Sequence, residues 1–400
     1  MPDSAINAMA ASVREANRSG VVRGICLFYI RRKVGGMRAV VVGGGIGGLS
    51  AAIALRRAGW DDVTVLERAP AFGEVGAGIT LQANALAGLD ALGVGAAVRG
   101  RGGVDAPGGT RTPDGRWLAR IDARRLEAAL GTNALGIHRA DLHATLRAAL
   151  PAAALRPGSP VTDPGELDAD LVVGADGIDS VVRRTVYPEA PAPACVGTAA
   201  WRGVTDEPWR GELTVAITWG PGTEFGIVPL GDGRVYWFAA VLAPPGAKYD
   251  DHHAEVRRRF GHWHPPVGAL IDATSTLLYH DLRHLPAPLP SYVRGRVALL
   301  GDAAHAMTPN LGQGGAQAIE DAVVLGQVCR PGRPVAEALA EYDARRRPRS
   351  QAVAAASYRI GRFGQQLRNP LAVAARNAAV RLTPSSVALR SMARYADWRP

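Results

Sequence analysis

The spacing of apolar and polar residues predicts alternating strands and helices in the first part of the chain. Residues 37–42 form a short, mostly β-branched apolar run that predicts a buried parallel strand, and residues 49–57 continue at helical spacing. Further apolar runs that predict strands begin at residues 63, 171 and 296, and helical spacing returns at residues 317–325. Strands that alternate with helices predict an α/β fold.

A second region follows a period of two. Between residues 196 and 284 the pattern is strand-like, most clearly where two sets of side chains alternate along Leu213, Thr214, Val215, Ala216, Ile217, Thr218 and Trp219. A turn at residues 231–233 leads into another apolar strand at residues 234–239, so this region is predicted to be a sheet. Beyond Pro331, helical runs rich in alanine and arginine continue to the end and show no chemistry of their own.

The first strand and helix are joined by a glycine-rich turn. Gly43 suits a tight turn, Gly45 and Ile46 would let the backbone approach a pyrophosphate at the helix N-terminus, and Gly48 would let the helix pack closely. Strand, turn and helix are the context that a dinucleotide-binding fingerprint requires. The turn predicts a bound dinucleotide and does not choose between NAD and FAD.

An acid follows the next strand, as this kind of site requires. Glu67 lies about 20 residues beyond the glycines, where a carboxylate binds a ribose hydroxyl. Arg68 comes next and could face a 2′-phosphate. Because an acid is present beside it, we expect an adenosine without that phosphate.

Two later segments place an acid beside a glycine after a strand. The strand that begins at Leu171 runs into Asp176 and Gly177. The strand at residues 296–300 ends at Gly301 and Asp302, where an acid suits the polyhydroxylated linker of a cofactor.

With these three motifs in this order, residues 37–347 resemble the single-component flavoprotein monooxygenases of the para-hydroxybenzoate hydroxylase fold. Residues 138–142, 225–230 and 301–315 look most like the branch that holds FAD-dependent urate hydroxylase, 3-hydroxybenzoate 6-hydroxylase and zeaxanthin epoxidase. The resemblance implies a Rossmann-like FAD-binding domain interleaved with a β-sheet substrate domain, and C-terminal helices.

The resemblance also divides the chain. Residues 1–36 are expected to be an extension, disordered or an upstream start. The FAD-binding domain would take residues 37–188 and return at 285–330, the substrate-binding sheet would take 189–284, and the C-terminal helical region 331–400. The segment between the Arg139 helix and the Asp-Gly strand is short for the family, which implies a trimmed outer sheet.

The resemblance assigns the cofactor contacts residue by residue. Glu67 would bind the adenosine ribose, Arg139 would lie near the pyrophosphate, and Asp302 would bind the ribityl or pyrophosphate region of FAD. Asp176 would serve both FAD and NAD(P)H, with a plain turn-capping acid as the alternative. The loop beside the flavin ring would be shaped by His305, Pro309, Gly312, Gly314 and Gly315.

The reaction implied by the resemblance uses NADH or NADPH and O2 as co-substrates. A flavin hydroperoxide would hydroxylate an aromatic or other electron-rich small molecule. Three alternatives stay open: epoxidation of an alkene or isoprenoid, reduction by a non-oxygenating FAD-dependent enzyme of the same fold, and a non-catalytic FAD-dependent sensor.

Substrate contacts are expected from the sheet. The candidates are Trp219, Glu224, Phe225, Tyr236 and Trp237, with Arg202 and Tyr236 as catalytic candidates. Tyr236 matches a substrate-side tyrosine of related urate hydroxylases, or packs in the core; Arg202 pairs a substrate carboxylate, or is a surface strand arginine. Glu224 lies where those enzymes have an arginine, which argues against urate.

Composition adds limits. The three cysteines are too few and too scattered for a disulfide framework or a Cys-x-x-Cys metal site, which favours a reducing cytoplasm. The formal charge of +10 is almost all arginine and comes without a nucleic-acid recognition motif, so we interpret it as solvated surface charge. The histidines at 252, 253, 262 and 264 lack nearby ligand partners, and no metal is expected.

No apolar run is long enough to span a membrane. We expect a monomer or homodimer.

Overall fold

A computed structural model describes residues 36–73, 77–104, 108–120, 123–213 and 215–400. Apart from residue 36, the expected N-terminal extension lies outside the described residues. So do residues 74–76 of the loop after Gly73 and Thr214 of the alternating segment.

The described chain contains the following elements. The strands are β1 (Arg38–Val42), β2 (Asp62–Leu66), β3 (Gly78–Leu81), β4 (Gly103–Val104), β5 (Gly109–Arg111), β6 (Trp117–Arg120), β7 (Leu135–His138), β8 (Leu155–Arg156), β9 (Leu171–Gly174), β10 (Ala194–Val204), β11 (Ile217–Gly220), β12 (Thr223–Pro229), β13 (Val235–Leu242), β14 (Leu277–His284), β15 (Val293–Arg294) and β16 (Val297–Leu299). The helices are α1 (Ile46–Arg57), α2 (Ala83–Ala91), α3 (Gly95–Arg99), α4 (Ala123–Leu130), α5 (Arg139–Ala148), α6 (Val181–Val186), α7 (His252–Phe260), α8 (Val267–Asp272), α9 (Asp302–His305), α10 (Gly314–Val328), α11 (Val335–Phe363), α12 (Pro370–Leu382) and α13 (Ser385–Ala396).

A mainly parallel six-stranded sheet carries the glycine turn. Its strand order is β15-β16-β9-β1-β2-β8, and β1 pairs in parallel with both β2 and β9. The apolar run of β1 is buried from Ala39 to Val42, where it forms part of the main hydrophobic core together with residues of α1. The ends of β1, β2, β9 and β16 therefore meet at one edge, where the three motifs of the sequence come together.

The short outer strand agrees with the short segment of sequence before the Asp-Gly motif. Only the two residues of β8 pair with the end of β2, in parallel. The outermost strand on this side of the sheet is therefore only two residues long.

A seven-stranded sheet forms the second layer, in the order β14-β10-β13-β12-β11-β5-β6. Successive side chains along its central strands point to opposite faces, except where the register of β10 shifts between Cys195 and Ala199. One face packs Trp201, Phe225 and Trp237 against the apolar side of α7 and α8. The opposite face lines a cavity and carries alanines together with Arg202, Glu224, Tyr236 and Phe238.

Two details differ from the expected organisation. β5 and β6 pair at the edge of the seven-stranded sheet, although residues 37–188 were expected to form the first FAD-binding segment. The strand expected across residues 213–219 begins only at Ile217. The first difference arises because pairing between distant strands leaves no periodic signal in either strand.

Candidate functional site

The glycine turn is held in a shape that leaves its helix end open. Gly43 has φ of +105°, and a side chain there would collide with the backbone of Ala175. Gly45 precedes α1 without any side-chain cap, and a Cβ on it would meet nothing within 4 Å. The N-terminal backbone N–H groups of α1 thus face open space, which is the arrangement that binds a phosphate.

Two side chains fix the turn from behind. Gly44 donates its N–H to Glu67 Oε2 at 2.7 Å, and Ala69 N–H donates to the other oxygen of Glu67 at 2.8 Å. The buried His143 on α5 lies with Nε2 at 2.8 Å from the carbonyl oxygen of Gly44. Because a carbonyl can only accept, Nε2 carries the proton. His143 had no signal in the sequence, since it lies 99 residues from Gly44.

A cavity of about 400 Å³ connects the glycine turn with the seven-stranded sheet. Predicted cofactor residues that line it are Gly45, Ile46, Arg139, Asp302, Pro309, Gly312, Gly314 and Gly315. On the sheet side its wall includes Arg202, Glu224 and Tyr236. The structure thus brings together the cofactor and substrate residues that the sequence placed far apart.

Asp302 is the exposed first residue of α9, directly after Gly301, whose φ is +59°. Among the described residues its carboxylate forms no hydrogen bond or ion pair, so it can accept a bond from a ligand. Gly312 also has a left-handed conformation, with φ of +63°, and a Cβ on Gly314 would meet nothing within 4 Å. This loop therefore leaves room for a flat ring to lie against its backbone.

Asp176 is occupied by its own helix. It accepts the hydroxyl of Ser180 at 2.5 Å and the backbone N–H groups of Val181 and Val182 at 2.7 and 3.2 Å. This is the capping role that the sequence left open as the alternative. The neighbouring Ala175 and Gly177 line the cavity, whereas the described wall does not include Asp176.

Glu224 is a buried carboxyl in the cavity wall. It is 8% exposed, and Trp219 donates its indole N–H to Oε2 of Glu224 at 2.9 Å. Burial raises the pKa of Glu224 to about 7, although the bond from Trp219 lowers it. The Glu224 carboxyl therefore titrates much closer to neutral pH than an ordinary glutamate does.

Tyr236 and Arg202 lie on neighbouring strands of the same wall. Burial raises the pKa of the Tyr236 hydroxyl, while the charge of Arg202 and its hydrogen bond to the hydroxyl act in the opposite direction. The Tyr236 ring also packs so closely on Gly78 that a side chain at Gly78 would collide with it. Tyr236 is thus both a packing residue and a cavity residue.

Two of the expected substrate contacts are corrected by the structure. Phe225 and Trp237 are fully buried on the other face of the sheet, with ring centroids 5.4 Å apart and parallel planes. They follow Glu224 and Tyr236 directly in sequence, and adjacent strand residues point to opposite faces. Neither can contact a ligand in the cavity.

Three other candidates, Trp219, Arg68 and Glu67, lie outside the described wall. Trp219 reaches the cavity only through Glu224, and the guanidinium of Arg376 lies 5.4 Å from its ring centroid. Arg68 is exposed beyond the end of β2, and Glu67 is taken up by the glycine turn.

A buried polar network lies beneath residues 301–315, the segment expected beside the flavin, which we call the flavin loop. Nothing in the sequence indicated this network. Arg346 on α11 donates to Asp321 at 2.7 Å and to Glu320 at 2.5 Å, both on α10. Asp321 also accepts from the N–H of Gly301 at 3.0 Å and contacts Nε2 of His305 at 2.6 Å. The C-terminal helices, which showed no chemistry in the sequence, therefore support the loop that carries Asp302.

The charge of this network is strongly held. Burial alone would raise the pKa of Asp321, but His305 and Arg346 outweigh it and hold that pKa at about 2. The neighbouring Glu320 accepts further bonds from Arg349 at 2.6 Å and from Asn84 at 2.7 Å. A buried arginine with two buried carboxylates is costly to disrupt.

The described residues contain no group of three histidine, cysteine or acidic side chains that could hold a metal ion. None of their helices is long and apolar enough to cross a membrane.

The fold and the cavity define an FAD-binding oxidoreductase. A family profile described as FAD binding domain matches residues 152–357, and one described as FAD dependent oxidoreductase matches residues 38–85. The chain is 41% identical over 349 residues to aurachin C monooxygenase/isomerase from Stigmatella aurantiaca, covering 82% of this chain and 90% of that protein. It is 37% identical over 339 residues to 3-amino-4-hydroxybenzoate 2-monooxygenase from Streptomyces cremeus, covering 79% and 85%.

Among solved structures, Klebsiella pneumoniae HpxO complexed with FAD and uric acid superimposes with a TM-score of 0.83 at 30% identity, covering 90% of this chain and 96% of that chain. The chain belongs to the FAD-dependent monooxygenases of the para-hydroxybenzoate hydroxylase fold. The family and the fold class expected from the three sequence motifs are thereby confirmed.

The residues present fit FAD. The open helix end at Gly45 suits the pyrophosphate, the exposed carboxylate of Asp302 suits a hydroxylated linker, and the glycine loop at residues 312–315 leaves space for the ring.

Proposed function

We propose that this protein is an NAD(P)H-consuming monooxygenase that hydroxylates an aromatic or heteroaromatic small molecule. One observation carries the proposal: a single cavity has the cofactor cradle on one side and a sheet with polar side chains on the other. Its relatives named above act on ring compounds, which agrees with a cavity of this size and lining.

The atoms and electrons of this reaction determine which parts the cofactors supply and which part the protein supplies. One oxygen atom of O2 enters the substrate, the other leaves as water, and NAD(P)H supplies the two electrons. FAD bound at Gly45, Arg139 and Asp302 would supply the redox chemistry. The protein orients the ring and keeps water away from it.

Two side chains are placed to orient a ring hydroxyl. Tyr236 is 7% exposed and lies beside Arg202 in the cavity wall. The Tyr236 hydroxyl can accept or donate a hydrogen bond, and the positive charge of Arg202 favours a partly negative ring oxygen.

The test combines two measurements on the FAD-loaded protein. Phenols, aromatic acids and nitrogen heterocycles are screened for acceleration of NAD(P)H oxidation, and mass spectrometry follows the incorporation of labelled oxygen from O2. The proposal predicts a product that is heavier by one labelled oxygen atom. A product that is reduced and carries no label, or a protein that never takes up FAD, would contradict it.

A further inference from the structure

Glu224 is the acidic side chain of the sheet wall. Its strand β12 lies between β11 and β13, where it pairs with Trp219 and Ala240. The Trp219 indole holds Oε2, and Arg376 on α12 covers the ring of Trp219. One oxygen of the Glu224 carboxyl is therefore held by a donor on the neighbouring strand.

The second oxygen of Glu224 is left for a ligand. Within the described chain, Trp219 is the hydrogen-bond donor to this side chain, and it reaches only Oε2. Glu224 lines the cavity, and its Oε1 accepts no hydrogen bond from the described residues, so a donor in the cavity can bind to it. Arg202 in the same wall forms its hydrogen bond with Tyr236, and Trp219 is the side chain that hydrogen-bonds Glu224.

We propose that Glu224 is a specificity-determining residue that accepts a hydrogen bond from a ring N–H or O–H of the substrate. This inference rests on the proposed function and names the substrate class: an uncharged, donor-bearing aromatic or heteroaromatic ring. A ring carboxylate directed at Glu224 would place two acidic groups together in a buried site, which disfavours its binding.

Ionisation supports this assignment, because the pKa of Glu224 is raised to about 7. The carboxylate accepts more strongly than the acid, so binding of a donor ring should tighten as the pH rises through about 7. Two neighbouring groups have pKa values that move away from neutral pH. Burial raises the pKa of the Tyr236 hydroxyl, and burial together with the charge of Arg202 lowers the pKa of His280 on β14.

The experiment measures ring binding to the FAD-loaded protein without NAD(P)H, by the change in the flavin spectrum. The probes are two matched sets: naphthol, its methyl ether and hydroxynaphthoic acid; and quinolone, N-methylquinolone and quinolone carboxylic acid. We expect the donor-bearing neutral ring of at least one set to bind about 10- to 100-fold more tightly than its methylated partner. The carboxylated ring should bind no better than the methylated one.

Variants connect this preference to Glu224. Glu224→Leu should abolish the preference for the donor. Glu224→Gln, which retains an acceptor, should keep part of it and lose the change in Kd around pH 7. Asp232→Asn, in the exposed turn between β12 and β13, should behave like the parent.

Three results would overturn the inference. The first is a carboxylated ring that binds as tightly as the neutral donor ring, the second is a donor preference that persists in Glu224→Leu, and the third is a donor preference that is missing in the parent for both sets. Because no turnover is needed, this outcome is distinct from failure of the proposed function, which shows as the absence of labelled product.

Discussion

Three acids follow strands of the six-stranded sheet, and their surroundings give them different roles. Glu67 accepts from the N–H groups of Gly44 and Ala69, and Asp176 accepts from Ser180 and the first turn of α6. Asp302 is the acid of this set that is exposed in the cavity wall. At the scale of single residues, cofactor affinity should therefore depend most on Asp302.

We predict that Asp302→Ala weakens FAD binding with little change in stability. A hydrogen bond to a charged group contributes about 1.5–3 kcal/mol, so the Kd for FAD should rise by roughly 10- to 100-fold. Titration of the apoprotein with FAD measures it. Asp168→Ala is the matched control, since the Asp168 side chain is 88% exposed and its ion pair with Arg38 spans 3.5 Å. Equal FAD affinity in Asp302→Ala and the parent would remove Asp302 from the site.

The sequence predicted individual residues of the cavity where a motif has a fixed spacing. It failed where the answer depends on which face of a strand a side chain occupies. The glycine spacing and the position of Asp302 after a strand were enough to place both beside one cavity. Phe225 and Trp237 were wrong because a strand pattern reveals alternation but not which face meets the ligand. The interpretation of the arginines as solvated surface charge was also wrong for Arg346, which is fully buried.

At the scale of elements, the contact of α10 with α11 supports the flavin loop. Asp321 on α10 receives Arg346 from α11 and binds the backbone of Gly301, the residue before Asp302. The sequence predicted α10 from its period. It could not predict this ion pair, because partners 25 residues apart on different helices leave no periodic signal.

We predict that Asp321→Asn lowers the free energy of unfolding by about 3–5 kcal/mol at neutral pH, because Arg346 loses a buried partner. Denaturant unfolding followed by circular dichroism measures this, with Glu337→Gln, an exposed acid on α11, as the control. A loss below about 1 kcal/mol would show that Glu320 alone balances Arg346.

The same variant should also change the response to acid. The pKa of Asp321 is about 2 in the folded protein and about 3.9 in an unfolded chain, so its ionisation stabilises the fold above pH 4. That contribution is lost as the pH falls from about 4 to about 2. Asp321→Asn lacks this part of the acid destabilisation, so its stability should decline less than that of the parent over this interval.

At the scale of the whole molecule, the cavity depends on two sheets built from interleaved segments. β5 and β6 leave the FAD-binding part of the chain to join the seven-stranded sheet, and β14 is followed by the return to β16. The three ordered motifs were sufficient to predict this two-part architecture. The motifs were not sufficient to predict the exact division of the chain. The strands at residues 109–111 and 117–120 are too short for their pattern to indicate which sheet they join.

This arrangement separates cofactor binding from substrate positioning, and Tyr236 tests that separation. Tyr236 lies on β13 in the sheet wall, between Val204 of β10 and Val228 of β12, while the glycine turn and Asp302 follow strands of the other sheet. Removing its hydroxyl should leave the FAD Kd unchanged. It should misplace the substrate ring, because the hydroxyl orients it or takes part in moving its phenolic proton.

We therefore predict that Tyr236→Phe lowers coupling, the fraction of consumed NAD(P)H that yields hydroxylated product, to about a tenth of the parent value. The balance should appear as hydrogen peroxide, so product, peroxide and NAD(P)H are measured together in one reaction. Tyr279→Phe is the matched control, because Tyr279 is a strand tyrosine that packs with Trp201 on the opposite face. If coupling and rate in Tyr236→Phe equal those of the parent, Tyr236 serves only to pack the ring against Gly78. Orientation of the substrate would then fall to Arg202 and Glu224, the remaining polar side chains of the described sheet wall.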